Sequence, residues 1–382
     1  MRIPIGLTLL FVLPSLLSAQ QIDYMLYSHK WKSPLTAVKV SPDNSKLLVG
    51  REDGTLMVLG LPDYNLLMEI EEASPSPIYD IEMSPKMDVI FIASGSRIML
   101  YDTTGTHIIN WPHHKNTMWS MDISPSGDFM VSTEVNKTFQ LSNIYEGRIE
   151  AAMRAHDDIT LAVAFSPDGK MIASGSNDKR VFLWDLETRE VIATFHGLSD
   201  NIYDVAFSPD GRYLAACSRD KSVRIWNIKE KTLLHLLKGH SDIVLEIEFS
   251  PDNRYLLSAS ADMAIKLWDV NSGKQLYAYL ENEAGLSDIE FLPGGSAFVS
   301  SGADGYLKAW EIHPEIFVLN YFEEEFEEEL LENPIFKPRA KGEKKSDFEE
   351  RCGKAGMLKA EIIEKYYQKY LEKYTSGSLD TE

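Results

Sequence analysis

Residues 155–185 read AHDDITLAVAFSPDGKMIASGSNDKRVFLWD, and the same order of residue types returns as GLSDNIYDVAFSPDGRYLAACSRDKSVRIWN at 197–227 and GHSDIVLEIEFSPDNRYLLSASADMAIKLWD at 239–269. Each copy holds a short apolar run, a Pro-Asp-Gly or Pro-Asp-Asn turn, a second run, a polar turn, and a third run ending in Trp-Asp or Trp-Asn. Short runs of this kind bounded by turn residues are antiparallel hairpins. Working outward, the Ser-Pro turn or its relic recurs at Ser41, Ser84, Ser124, Ser166, Ser208, Ser250 and Leu292-Pro293, at intervals of 40 to 43 residues. Self-similarity at such a period marks stacked supersecondary units, each unable to bury its apolar faces alone.

The repeats resemble the WD40 family, in which every repeat supplies a four-stranded blade and seven blades close into a β-propeller. The resemblance covers roughly residues 22–312 and implies an all-β, seven-bladed propeller, here followed by an α-helical C-terminal extension. It also implies a buried brace in each blade, in which His, Ser or Thr, Asp and Trp hydrogen-bond in series. Two blades have the full set: His156, Ser174, Asp178 and Trp184 in the fourth, and His240, Ser258, Asp262 and Trp268 in the sixth. The fifth has Leu198 and Ala216 with Asp220 and Trp226, and the seventh has Asn282 with Ser300, Asp304 and Trp310. The third has His114 and Ser132, but Asn136 and Ser142 replace Asp and Trp; the first keeps only Asp53, and the second has lost the set. Blades one to three are therefore expected to be the softer half of the ring.

A propeller needs a fastener, because an open one would leave unpaired strand edges. Residues 22–28 are expected to be the fourth strand of blade seven, with 315–322, EIFVLNYF, as the rival; the propeller domain is accordingly drawn as 22–320. Residues 321–345 read as a linker, acidic and then basic, and 346–374 as an amphipathic helix, with Ser346 and Glu349 at capping-box spacing. Gly353 and Gly356 weaken its middle, so two helical pieces are an alternative. The apolar stripe is expected on the propeller flank or its own preceding segment, with docking on a partner as the alternative. The tail 375–382 is expected to be disordered. The stretch FKPRAKGEKKSDFEER at 336–351 is similar to C-terminal appendices of exported repeat proteins of Bacteroidetes-type bacteria.

Residues 1–19 have the pattern of a secretory signal peptide: Met1-Arg2, an apolar run from Ile5 to Leu17, and Leu17-Ser18-Ala19 before Gln20. No cysteine stands near the start to accept lipid, so a secreted or periplasmic location is expected. No segment reads as a confident membrane span. A formal charge of −20 disfavours nucleic acid and anionic membranes, and 44% hydrophobic residues suffice for a full core. The two cysteines, Cys217 and Cys352, have no metal or redox spacing and read as buried or half-buried free thiols, with a bridge between them in an oxidising compartment as the alternative.

For function, the resemblance points to the narrow face of the ring. In the β subunit of heterotrimeric G proteins, partner contacts recur five and seven residues before the Ser-Pro position. The residues five before it here are Thr36, Tyr79, Trp119, Leu161, Tyr203, Leu245 and Ser287. Tyr79, Trp119, Leu161, Tyr203 and Leu245 form the candidate partner-binding ring, with packing between blades as the alternative role. Arg51, Lys179, Arg180, Arg219 and Lys221 would add a positive rim suited to an acidic peptide or polyanionic glycan.

Catalytic patterns are missing: there is no GxSxG, HExxH, CxxC pair or phosphate loop. His107, His113 and His114 are close in sequence, but His114 falls on the brace position, and no metal or cofactor is expected. Asp157, Asp158 and Asp200 occupy a repeated loop position, and Asn136-Lys137-Thr138 is formally a glycosylation acceptor. Four residues before the Ser-Pro position stand Asp80, Ser120, Asp204, Glu246 and Asp288, with Asp122 two further on in its blade. If they face the channel they repel one another unless solvated or neutralised. The favoured reading is a noncatalytic exported scaffold that holds a protein partner, alone or within a multiprotein complex; the alternative is a hydrolase-like propeller enzyme using these carboxylates.

Overall fold

The recurring serine is explained by the turn it builds. In a computed structural model of the chain, Ser166 Oγ accepts from Met171 N–H at 2.8 Å and donates to Asp168 at 2.7 Å, and Gly169 closes the turn with a positive φ of 68°. Ser208 and Ser250 make the same pair of bonds, to Tyr213 and Asp210 and to Tyr255 and Asp252. One hydroxyl therefore satisfies both sides of a tight reversal, which is why the signal survives every repeat except the last. The structure describes residues 24–376 apart from 87–88, 112–115, 281, 338–339 and 341–342; the expected signal peptide at 1–19 and residues 377–382 of the tail lie outside them.

The strands form seven four-stranded antiparallel sheets. Six are continuous in sequence, as in blade four: Thr160–Phe165, Met171–Ser176, Val181–Asp185 and Val191–Phe195. In the seventh, Leu286–Phe291, Ala297–Gly302 and Tyr306–Glu311 take their outer strand from Met25–Lys30, with Met25 opposite Trp310 and Lys30 opposite Tyr306. The first strand of each blade lies against that of the next, and Leu286–Phe291 against Leu35–Val40 completes the circle. This is the expected seven-bladed propeller, closed by the N-terminal strand.

Its core lies between blades. One buried cluster joins Ala162, Ala173 and Leu183 of blade four to Ile202, Val205 and Leu214 of blade five, and equivalent layers recur round the ring. Gly175 marks how closely blades approach: a Cβ there would sit 2.6 Å from Ile202 Cγ2 of the next blade.

The propeller unit is Met25–Glu311, and Ile312–Glu382 with Tyr24 forms a second unit. The rival fastener, 315–322, is a helix instead of a strand: α1 spans Glu315–Tyr321. The expected linker also needs correction, because the acidic run is α2, Glu323–Glu332, followed by a 3-10 turn at Pro334–Phe336. Glutamates are good helix formers, and Phe326 and Leu330, four apart, are both buried. The last helix, α3, is one piece, Lys345–Ser376, running through Gly353 and Gly356 and including Thr375 and Ser376 of the expected tail. Its stripe packs on the preceding segment: Tyr370 stacks on Phe317 at 5.1 Å, and Tyr366 meets Phe322 and Phe326 at 5.7 and 6.0 Å. Ion pairs Lys359–Glu315 and Lys365–Glu329 lie along its flank. Ser346 lies inside the first turn and donates to Asp347, so it is not the cap its spacing suggested.

Candidate functional site

In six innermost strands the pairing slips by one residue, between Leu35 and Ala37, Ile78 and Asp80, Thr160 and Ala162, Ile202 and Asp204, Val244 and Glu246, and Leu286 and Asp288. The residues left over are Thr36, Tyr79, Leu161, Tyr203, Leu245 and Ser287, the positions five before the Ser-Pro turn. A bulge frees its residue from the ladder and re-aims the side chain. Blade three reaches the same end differently, since its ladder begins at Met121, and the Trp119 and Ser120 amides both donate to Thr133 Oγ1 at 3.2 and 3.0 Å.

The rim residues are not equally free. Trp119 is 47% exposed, and its ring meets Tyr79 at 5.2 Å, so these two form one aromatic surface. Leu161 and Leu245 are half-buried, and Tyr203 packs on the core shared by blades five and six. The positive rim is partly spent within the protein. Arg51 is buried against Glu69 and Asp53, Arg180 pairs with Asp157 and Asp178, and Lys221 donates to Ser241 O at 2.6 Å. Carboxylates neutralise the two arginines, leaving Lys179, Arg219 and Lys221 as the exposed cations of that set.

Beneath the rim, side chains two apart on each innermost strand share one face and converge on the axis. Asp80 accepts the Met121 N–H of the next blade at 2.7 Å, Asp122 that of Phe165 at 2.6 Å, Asp204 that of Ile247 at 3.2 Å and Glu248 that of Phe291 at 2.6 Å. Asp288 and Glu290 cross the closing seam to Val38 and Val40 at 2.7 and 3.2 Å. The rule is regular: a carboxylate four or two residues before the turn caps an amide three or one before the turn in the following blade. Glu82, Glu248, Glu290 and Lys39 belong to this system and escaped sequence reading, although i, i+2 alternation from Asp80, Glu246, Asp288 and Ala37 would have found them.

Burial raises these carboxyls. Asp80 is pushed up to about 8 by desolvation and then by the Glu82 charge, and Asp122 to about 7 for the same two reasons. Asp204, Glu246, Glu248, Asp288 and Glu290 are raised by desolvation first as well. Burial works against the charge of Lys39, but Glu82, Glu290 and Asp122 overrule it, and its ammonium lies 2.8 Å from Glu82. Cys217, fully buried behind Asp204, is pushed well up by burial and then by Asp204 and Glu246. The side chain of Cys352 lies outside the described residues.

The brace residues meet in series. His156 contacts Asp178 at 2.9 Å and Ser174 at 2.8 Å, and Trp184 Nε1 donates to Ser174 at 2.8 Å. His240 contacts Asp262 at 3.0 Å and Ser258 at 2.7 Å, with Trp268 donating to Ser258 at 2.8 Å. Burial alone would raise Asp178 and Asp262, yet hydrogen bonds from the histidines and nearby amides hold both low; burial depresses His240. Blade seven keeps only the Trp310 to Ser300 bond, at 2.9 Å, while Asn282 donates to Met263 O.

Among the described residues, no group of three or more His, Cys, Asp or Glu side chains is placed to hold a metal ion. His107 contacts Asn110, and His113 and His114 lie outside the described residues. No described helix is long and apolar enough to cross a membrane.

Residues 118–292 match the family model for the second β-propeller of echinoderm microtubule-associated protein, and residues 21–58 match the WD domain, G-beta repeat. No curated protein matches the chain. With seven closed blades and two complete braces, the chain is a WD40-repeat β-propeller with a helical C-terminal extension.

Proposed function

We propose that the protein is a noncatalytic recognition module that grips a protein partner on the narrow face of the ring. The observation that carries this reading is that the residue five before the turn is out of the β-ladder in every blade, by a bulge in six and by a late ladder start in blade three, which leaves Tyr79 and Trp119 as an accessible aromatic pair. Large amphipathic side chains of this kind dominate interface energetics. Tyr79, Trp119 and Leu161 are the anchors, with Leu245 and Tyr203 contributing their exposed edges. Internal pairing of Arg51 and Arg180 weakens the reason to favour an acidic peptide or polyanionic glycan. Use of the channel carboxylates as amide caps argues against the hydrolase alternative, because a general acid and base need free oxygens aimed at a substrate.

The apolar run Ile5–Leu17 and the Leu17-Ser18-Ala19 boundary support work outside the cytoplasm, in a periplasm or beyond. N-terminal sequencing of protein recovered from the producing cells tests this: a mature start at Gln20 supports it, and retention of Met1 sinks it.

The partner reading is tested by affinity capture with the full chain, a Tyr79→Ala/Trp119→Ala variant and a deletion of residues 323–382. Loss of partners from the rim variant alone is expected. Equal recovery by wild type and rim variant, or loss only on the deletion, would move the site elsewhere.

A further inference from the structure

The first strand of every blade pairs on one side only, so its other edge points unpaired amides toward the axis. Such amides require acceptors. Five seams supply them with carboxylates from the preceding blade: two to three, three to four, five to six, six to seven, and seven to one. Between blades one and two, the Lys39–Glu82 ion pair does the joining. Blade four has Ala162 and Ala164 at both positions and offers nothing to blade five, where Asp204 turns back on its own Val205 N–H at 2.7 Å. The seam between blades seven and one, where strands from the two ends of the propeller sequence meet, has two such bonds.

We infer that this channel is a proton-operated clasp: carboxyl groups stitch the blades together, and the stitching holds only while some of them keep their protons. The groups that face one another are Lys39 from blade one, Asp80 and Glu82 from blade two, Asp122 from blade three, none from blade four, Asp204 from blade five, Glu246 and Glu248 from blade six, and Asp288 and Glu290 from blade seven, with Cys217 behind Asp204. Among the described residues, eight carboxyl groups thus converge on one narrow channel with a single lysine, Glu82 buried and the other seven half-buried. Fully ionised, they would repel across the axis; the Asp288 charge bears on Glu246 in the adjacent blade and that of Asp80 reaches Asp288 two blades away. After burial, the charge of Asp204 is the largest influence that raises Glu246.

The linkage has a definite sign. Carboxyls raised in the folded state bind more protons there than in the unfolded chain, so their contribution is complete below the unfolded value of about 4 and is lost as pH climbs toward about 8. Braces four and six have the opposite sign, since Asp178, Asp262 and His240 are all depressed and their contribution disappears on acidification.

The test is thermal unfolding of the full chain between about pH 6 and about pH 9 at fixed ionic strength, beside a Glu246→Gln/Glu248→Gln variant whose amide oxygens still accept hydrogen bonds. Wild type is expected to lose about 5 °C or more across this range, and the variant clearly less. A melting temperature that is flat or rises with pH overturns the clasp, as does a variant with the wild-type slope. Should the variant not fold, difference infrared spectroscopy of wild type decides: a protonated-carboxyl band that titrates away between about pH 6 and about pH 9 supports the clasp, and its absence overturns it.

Discussion

Blades four to six and blades one to three are built on one plan and braced by different means. In four and six a buried serine joins His and Trp, so each polar atom has a partner within 3 Å. Blade five solves the same problem with apolar residues: Leu198, Ala216 and Trp226 share one buried cluster, and Phe195 lies 5.4 Å from Trp226. Blades one and two improvise, with the Arg51–Glu69 pair in the first and Tyr101 donating to Ala73 O at 2.7 Å in the second. Blade three has Ser142 in the place of Trp, and its hydroxyl is buried with no hydrogen-bond partner among the described residues. A complete relay and a wholly apolar filling are both stable solutions; a remnant of the relay is the costly one.

The comparison breaks most readily at His156. His156→Ala leaves Asp178 and Ser174 without their partner, and urea denaturation should register a loss of about 3 kcal/mol. Ser258→Ala strands both His240 and Trp268 in blade six and is expected to remove about 2 kcal/mol by the same measurement. Tyr101→Phe deletes a single hydroxyl bond, and about 1 kcal/mol should be lost. Ala216→Ser, which puts a hydroxyl beside Trp226 in blade five, should change stability by no more than about 0.5 kcal/mol, because the indole can use the new acceptor. If that last change cost as much as Ser258→Ala, apolar and polar bracing would not be interchangeable. Hydrogen exchange sharpens the contrast without mutation: amides of 46–70, 89–111 and 129–154 are expected to exchange faster than those of 171–195 and 255–279. Uniform protection would remove the idea of a softer half.

The fold was open to reading because its signals are local. A Ser-Pro-Asp turn, an αL glycine and a Trp-Asp strand end each act within one blade, and the period of about 42 residues multiplies them. The same holds for His156, Ser174, Asp178 and Trp184, whose positions matched the brace that the WD40 resemblance implied. Other features were hidden because they depend on a neighbour. Nothing in Tyr79 or Leu161 announces a bulge, and nothing in Arg51 says that Glu69 will bury it.

The helical extension shows the same division. Its apolar stripe was visible, but whether it would be a linker plus a helix or a packed set was decided by Phe317, Phe322 and Phe326 meeting Tyr366 and Tyr370. The amino-acid order by itself determined that there would be seven blades and which of them could form a polar brace. Only the closed ring decided that Asp80, Asp122, Asp204, Glu248, Asp288 and Glu290 would cap amides some 43 or 250 residues away. Turn chemistry is written within a few residues, whereas desolvation and amide capping at the axis exist only once seven edges face one another.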